Sequence, residues 1–83
     1  MPKSIQDPVY RELIARIVDA RIDAQHSQAT VAGRLGRPQS YVAKVEGCER
    51  RIDVVEMLHL ADAIGIDPIP LVRAAWKSVR ADG

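Results

Sequence analysis

Apolar residues along this chain recur at intervals of three and four positions, the spacing that gathers them on one face of an α-helix. The pattern predicts five helices. The first follows Pro8 and ends near position 24, because Asp7 can cap it and proline suits a first helical turn. The fourth helix begins at Asp53, and the fifth opens at Asp67.

The segment at positions 27–46 reads as two short helices joined by a tight turn. Ser27 suits an N-cap because its hydroxyl can accept a hydrogen bond from an unpaired amide of the first turn. Gly36 stands where the chain must reverse, a place that favours a residue without a Cβ. Pro38 suits the first position of the next helix, with Arg37 before it as the cap. These signals predict a helix-turn-helix.

Length and composition favour a single all-α domain. The 83 residues allow one hydrophobic core of limited size. Hydrophobic residues make up 47% of the chain, but phenylalanine is absent, which favours a bundle built from Ile, Val, Leu and Ala. We expect the domain to span residues 7–80, between flexible tails at 1–6 and 81–83. The apolar residues expected on the last two helices are Val54, Val55, Leu58, Ala61, Ile64, Leu71, Val72, Ala75, Trp76 and Val79.

Positive charge is concentrated in one part of the chain. The formal net charge is only +1, which by itself argues against a nucleic-acid partner. Residues 33–51 nevertheless carry five basic side chains and two acidic ones, a local charge of +3 that leaves −2 for the rest. A local basic face is what phosphate contact requires, so the distribution favours nucleic-acid binding.

The sequence also argues against several classes of function. No apolar run is long enough to span a bilayer and the N-terminal residues do not form a signal peptide, which indicates a cytoplasmic location. Cys48 is the only cysteine, and its spacing from His26 and His59 matches no zinc pattern. Because no catalytic constellation or effector domain is recognisable either, we expect a non-enzyme with no cofactor, no metal and no small-molecule effector.

Several short motifs follow one another in a fixed order. They are Ser27-Gln28, Val31-Ala32, Gly36, Gln39-Ser40 and Glu46, followed by Leu58, Leu60-Ala61 and Ile64-Gly65-Ile66. Together they resemble the Xre-type, Cro-like helix-turn-helix family of small phage and bacterial repressors, over about residues 9–70. The resemblance implies the five-helix phage-repressor fold, in which the third helix recognises DNA. His26 departs from the family's usual Leu, and Pro38 from its usual Ser or Thr cap.

The resemblance assigns contacts with DNA bases to Gln39, Ser40 and Lys44, at the first, second and sixth places of the recognition helix. Their chemistry is suitable, because Gln can form two hydrogen bonds with adenine and Lys can reach the acceptors of guanine. The family pattern further implies that Gln28 contacts a phosphate and braces Gln39. The competing interpretation is that these are ordinary solvated residues.

Arg21 and Glu46 are expected to form a structural ion pair. In the family that the chain resembles, an Arg on the first helix meets the Glu that ends the third helix inside the domain. Arg21 falls on or near the apolar stripe of its own helix. The alternative, in which both are surface charges of little energetic weight, stays open.

Arg37, Arg50 and Arg51 are candidates for non-specific contacts with DNA phosphates. The competing interpretation is a solvated basic loop. On the fifth helix, Leu71 and Trp76 are expected in the core. Because such a helix often keeps apolar surface for a second subunit, the same two residues are the candidates for a dimer or partner surface.

The leading hypothesis is a transcriptional regulator, chiefly a repressor or autoregulator, that binds a near-palindromic operator on double-stranded DNA as a homodimer. One small domain offers few base contacts, and a dimer reaches two half-sites about 34 Å apart. The alternative is an antitoxin-like or adaptor module whose fifth helix docks another protein. Glu49 and the near-neutral total charge favour that alternative. The residues that oppose it are Gln28, Gln39, Ser40 and Lys44.

Overall fold

The computed structural model describes residues 6–82, with side chains as far as residue 81. Five α-helices follow one another in this range, and no strand occurs in it. The all-α, five-helix fold predicted from the sequence is therefore confirmed. The helices are α1 (Pro8–Asp23), α2 (Gln28–Leu35), α3 (Gln39–Glu46), α4 (Val54–Ile64) and α5 (Ile69–Asp82).

Three helices begin at the capping residues that the sequence indicates. The Asp7 carboxylate accepts a hydrogen bond from the amide of Val9, the second residue of α1. The Ser27 hydroxyl accepts one from the amide of Thr30, at 3.0 Å. Asp53 and Glu56 form a reciprocal capping box at the start of α4. These bonds satisfy amides that have no partner inside their own helix.

Two glycines end helices in the left-handed conformation. Gly36 follows α2 with φ 67°, and Gly65 follows α4 with φ 92°. A side chain at such a φ is strained, which explains why glycine stands at both positions.

The pair Gly36 and Gly33 provides a test of this argument. Replacing Gly36 with alanine is expected to lower the free energy of unfolding by about 1–2 kcal/mol, because alanine resists positive φ. Gly33→Ala is the control: the residue lies within α2 and open space surrounds its Cβ position, so alanine is expected to stabilise by up to about 1 kcal/mol. Urea denaturation followed by circular dichroism measures both changes. Equal effects of the two variants would contradict the argument.

The start of α3 differs from the sequence-based expectation. Arg37 is not the cap and Pro38 is not the first helical residue; Pro38 is itself the N-cap, with extended backbone, and α3 begins at Gln39. The reason lies in the preceding turn, where the Arg37 amide donates to the carbonyl of Ala32 at 2.9 Å and so closes α2. Proline has no side-chain acceptor, so α3 has no side-chain cap.

The core lies where α1 packs on α3 and α5 and where α2 packs on α3 and α4. Its most deeply buried side chains are Ile14, Val31, Val42 and Val45. Aliphatic side chains dominate it, as the composition predicts. Within residues 6–81 no charged or polar residue is fully buried.

Some of the apolar residues expected on the last two helices lie on the surface. On α4, Val54, Val55 and Leu58 are exposed, whereas Ala61 and Ile64 are buried together with Met57, Leu60 and Ala63. On α5, Leu71 is buried, but Val72, Trp76 and Val79 are exposed, and Trp76 retains 50% of its accessible surface. The core assignment of Trp76 was therefore wrong. The helix α5 packs on α1, where Ser78 donates to the Glu12 carboxylate at 2.9 Å.

The ends of the chain are described in part. The N-terminal tail predicted for residues 1–6 lies almost wholly outside the described residues. At the other end α5 continues through residues 81 and 82, which were expected in a tail, because no helix-breaking residue precedes the final glycine. No described helix is long and apolar enough to cross a membrane.

Candidate nucleic-acid interface

Helix α3 presents a polar face to solvent and an apolar face to the core. Gln39, Ser40 and Lys44 are exposed, while Val42 and Val45 are completely buried. The three polar residues share one side because a helix advances by about 100° per residue. The structure thus brings together the three residues expected to contact DNA bases.

The first residue of α2 contacts the first residue of α3. Gln39 donates a hydrogen bond through Nε2 to Oε1 of Gln28, at 3.2 Å. The two helix starts therefore lie side by side, and Gln28 braces Gln39 as the family resemblance implies.

Behind this contact lies an ion pair whose side chains are largely buried. Arg21 Nε donates to Glu46 Oε2 at 2.6 Å, and Arg21 Nη2 donates to Glu46 Oε1 at 2.9 Å. The side chains are 12% and 9% exposed, so the alternative of two ordinary surface charges does not hold. The hydrogen bonds to Glu46 raise the pKa of Arg21. Arg21 Nη1 also donates to the backbone carbonyl of His26, which fastens the end of α1 to the chain before α2.

The ion pair and the glutamine pair are joined. Gln28 Nε2 donates to Glu46 Oε1 at 2.9 Å, so that Arg21, Glu46, Gln28 and Gln39 form one continuous series of hydrogen bonds. We call these four residues the polar chain. It runs from a largely buried guanidinium to an exposed amide at the head of α3.

Two of the predicted phosphate-binding arginines lie against Tyr41. The guanidinium carbons of Arg37 and Arg50 are 4.4 Å and 4.7 Å from the centroid of the Tyr41 ring. Arg50 is also paired with Glu56, at 3.0 Å. Burial raises the pKa of the Tyr41 phenol, and the Glu56 carboxylate raises it further. The hydrogen bond from Arg50 lowers the pKa of Glu56, so that pair stays charged at neutral pH.

The basic residues therefore differ in exposure and in whether a carboxylate neutralises their charge. Arg37 and Lys44 are exposed, whereas the charge of Arg50 is balanced by Glu56. Arg51 is exposed and borders a cleft of about 270 Å³ together with residues of α1 and α5. Arg34 donates to the carbonyl of Ala63 at 2.8 Å and so ties α2 to the end of α4.

Sequence reasoning missed Tyr41 and Glu56 as partners of these arginines. Arg37 lies two residues before α3 and outside the helix, so no helical spacing reports its contact with Tyr41. The Asp53–Glu56 spacing of a capping box was visible in the sequence. That signal does not place Arg50 beside Glu56, because this contact depends on the path of the loop. No group of three or more His, Cys, Asp or Glu side chains in residues 6–82 could hold a metal ion.

The fold and the exposed polar face of α3 define a helix-turn-helix domain of the DNA-binding type. A solved structure, an XRE-family like protein from Pseudomonas syringae pv. tomato str. DC3000, is similar to this chain with a TM-score of 0.84. The two are 39% identical over 92% of this chain and 93% of the other. The chain belongs to the Xre-type helix-turn-helix family, a family of DNA-binding regulators, as the motifs indicated. No protein-family model and no curated protein matches it.

Proposed function

We propose that the protein is a sequence-specific transcriptional regulator that represses its targets, its own gene among them, by binding a near-palindromic operator. The observation that carries this proposal is the exposed face of Gln39, Ser40 and Lys44 on α3, held against α2 by the bond between Gln39 and Gln28. Major-groove readout needs such side chains, because amide, hydroxyl and ammonium groups match the donors and acceptors of base edges. The similar solved protein is bacterial, and in a bacterium DNA lies in the cytoplasm, where we place this protein as well.

The proposal is tested by fluorescence anisotropy with two duplexes, the DNA upstream of the gene and a scrambled version of it, across a range of salt. A specific regulator is expected to prefer the upstream duplex by about a thousandfold or more. Equal and weak binding to both duplexes, lost as salt rises, would contradict autoregulation.

Gln28 and the exposed arginines supply the contacts with phosphates in this proposal. Gln28 is the first residue of α2, where unpaired amides and the helix dipole favour an anion. Arg37 and Arg51 provide positive charge, and Arg50 a weaker contribution because Glu56 neutralises it. Such contacts position the protein without selecting bases.

Salt titration distinguishes the two arginines that contact Tyr41. Arg37→Gln is expected to lower the slope of log K against log salt by about two units, because the dimer loses one phosphate contact in each half-site. Arg50→Gln is the matched control, because it removes a charge that is already paired with Glu56. A larger slope change for Arg50→Gln than for Arg37→Gln would reverse the assignment.

The homodimer of this proposal forms through α5. Its exposed apolar residues Ile69, Val72, Trp76 and Val79 are spaced by three, four and three positions and make one stripe, which we call the α5 stripe. In a two-fold symmetric dimer such a stripe can pack against the same stripe of the second subunit. Leu71 was expected on this surface too, but it faces the core and is only 9% exposed.

Replacing Trp76 with serine is expected to shift the protein from dimer to monomer. The reason is the loss of the largest apolar side chain of the α5 stripe. Val54→Ser serves as the control, because Val54 is 70% exposed on α4 and lies outside the stripe. Light scattering after size-exclusion chromatography measures the mass against 9.2 kDa for one chain. A wild-type mass that equals one chain at micromolar concentration would rule out this dimer.

A second candidate function is that of an antitoxin-like or adaptor module. It is favoured by a separate apolar surface, formed by the exposed Val54, Val55 and Leu58 on α4, which the α5 stripe does not include. A partner protein could cover that surface while α3 stays free. Absence of any sequence preference in the anisotropy experiment, together with loss of partner binding in Leu58→Ser, would support this function over the first.

A further inference from the structure

A mainly apolar cleft of about 270 Å³ lies between the first turns of α1 and the second half of α5. We call it the α1–α5 cleft, and it is lined by Asp7, Val9, Tyr10, Leu13, Arg51 and Val79. Val9, Tyr10 and Leu13 are only half-buried, so solvent reaches apolar surface there. Because Val79 also belongs to the α5 stripe, the stripe and the cleft form one continuous surface.

Trp76 stands on this surface one helical turn before Val79. Its side chain is 50% exposed and is not among those that line the cleft of its own chain. The guanidinium carbon of Arg80 lies 5.2 Å from the centroid of the Trp76 ring, so a positive charge accompanies the indole. Since the volume of the cleft exceeds that of an indole ring, the same surface carries a large apolar side chain and a cleft with room for it.

The charges beside the α5 stripe argue against a dimer in which the two stripes alone meet. An exposed basic edge follows the stripe and consists of Arg73, Lys77 and Arg80. Two stripes packed antiparallel about a two-fold axis bring these edges together, and none of the described side chains of α5 is acidic. The α1–α5 cleft offers a carboxylate instead, because Asp7 is exposed at its rim.

We propose that in the homodimer Trp76 of each subunit inserts into the α1–α5 cleft of the other subunit and carries Arg80 toward Asp7. A two-fold dimer requires that each contact occurs twice, with the roles of the two subunits exchanged. Trp76 and the cleft satisfy this requirement because they are neighbours on one surface, and the axis then passes close to Val79. This inference rests on the homodimer of the proposed function and names the contact that holds it together.

The contact can be detected in the unaltered protein. In an equal mixture of ¹³C-labelled and unlabelled chains, isotope-filtered NMR reports only the proton contacts between subunits. We expect contacts from the indole protons of Trp76 to the methyl groups of Val9 and Leu13. Contacts across the dimer from Trp76 to Ile69 and Val72 alone would overturn the inference.

Val9→Lys tests the cleft by substitution, because the longer side chain fills it and its charge repels Arg80. The dissociation constant of the dimer is expected to rise at least about tenfold. Val55→Lys is the matched control, since Val55 is likewise the second residue of its helix, is 59% exposed and lies outside the cleft. A lysine in the first turn opposes the helix dipole equally in both variants. Sedimentation equilibrium measures the dissociation constants, and circular dichroism compares the thermal midpoints.

The outcomes separate this inference from the proposed function. A dimer that is weakened by Trp76→Ser but unchanged by Val9→Lys would overturn the inference alone and leave the α5 stripes as the interface. A wild-type protein that is monomeric would overturn the proposed homodimer and the inference with it. Equal weakening by Val9→Lys and Val55→Lys would also overturn the inference, because the effect would then not be specific to the cleft.

Discussion

Replacing Arg21 with methionine is expected to lower the free energy of unfolding by about 3–5 kcal/mol, because it leaves the Glu46 carboxylate charged and largely desolvated. Gln28 alone would remain to donate to that carboxylate. The loss is a large share of the total stability of a small domain, typically about 5–15 kcal/mol. Urea denaturation followed by circular dichroism at neutral pH measures it.

Arg16→Met provides the matched control for that measurement. Arg16 pairs with Glu12 one turn away on α1, at 2.9 Å, but both side chains are exposed. Losing this pair is expected to cost much less stability, because solvent screens the interaction between exposed charges. Equal losses of stability in the two variants would contradict the prediction that burial makes the pair of Arg21 and Glu46 more important for stability than an exposed pair. A double variant, Arg21→Met with Glu46→Leu, is expected to recover much of the loss because no charge is left unpaired.

Replacing Gln39 or Lys44 with alanine is expected to remove most of the preference for the operator without unfolding the protein. Each base contact contributes about 1–3 kcal/mol, and a homodimer loses it in both half-sites. Even at about 1 kcal/mol for each contact, the loss from two half-sites lowers the affinity of each variant about 30-fold. Both side chains are exposed, so the thermal midpoint is expected to stay near that of the wild type.

Lys77→Ala is the control for charge, because it removes an exposed lysine from α5. Binding to the operator and to a scrambled duplex is compared for each variant at constant salt. The expected pattern is that Lys44→Ala weakens operator binding far more than scrambled binding, whereas Lys77→Ala changes both little. Equal changes for Lys44→Ala on both duplexes would assign Lys44 to phosphate contact and not to base readout.

The features that the sequence predicted well are those whose chemistry is local. Asp7, Ser27 and Asp53 cap helices through hydrogen bonds that span two or three residues, and Gly36 and Gly65 end helices through their own backbone freedom. Each of these signals is complete within one turn of chain. The family resemblance also predicted a contact between distant residues, the ion pair of Arg21 and Glu46, because the family pattern relates positions on different helices.

The features that were not predictable depend on distant packing. Trp76 and Leu71 both belong to apolar faces of α5 by spacing, and only the docking of α5 on α1 decides which face is covered. Arg50 reaches Glu56 and Tyr41 because of the loop that follows α3. The bond from Gln28 to Glu46 likewise joins residues 18 positions apart, and no local pattern reports it.

The turn between α2 and α3 leaves the chain little freedom. The left-handed Gly36, the amide of Arg37 bonded back into α2 and the fixed ring of Pro38 together hold three successive residues. In the proposed complex α3 therefore meets DNA already oriented, and the turn before it loses little conformational entropy on binding. The same rigidity makes the turn intolerant of insertions. One residue inserted at the start of α3 would rotate the side chains that follow it by about 100° about the helix axis. The face that carries Gln39, Ser40 and Lys44 would then turn away from α2.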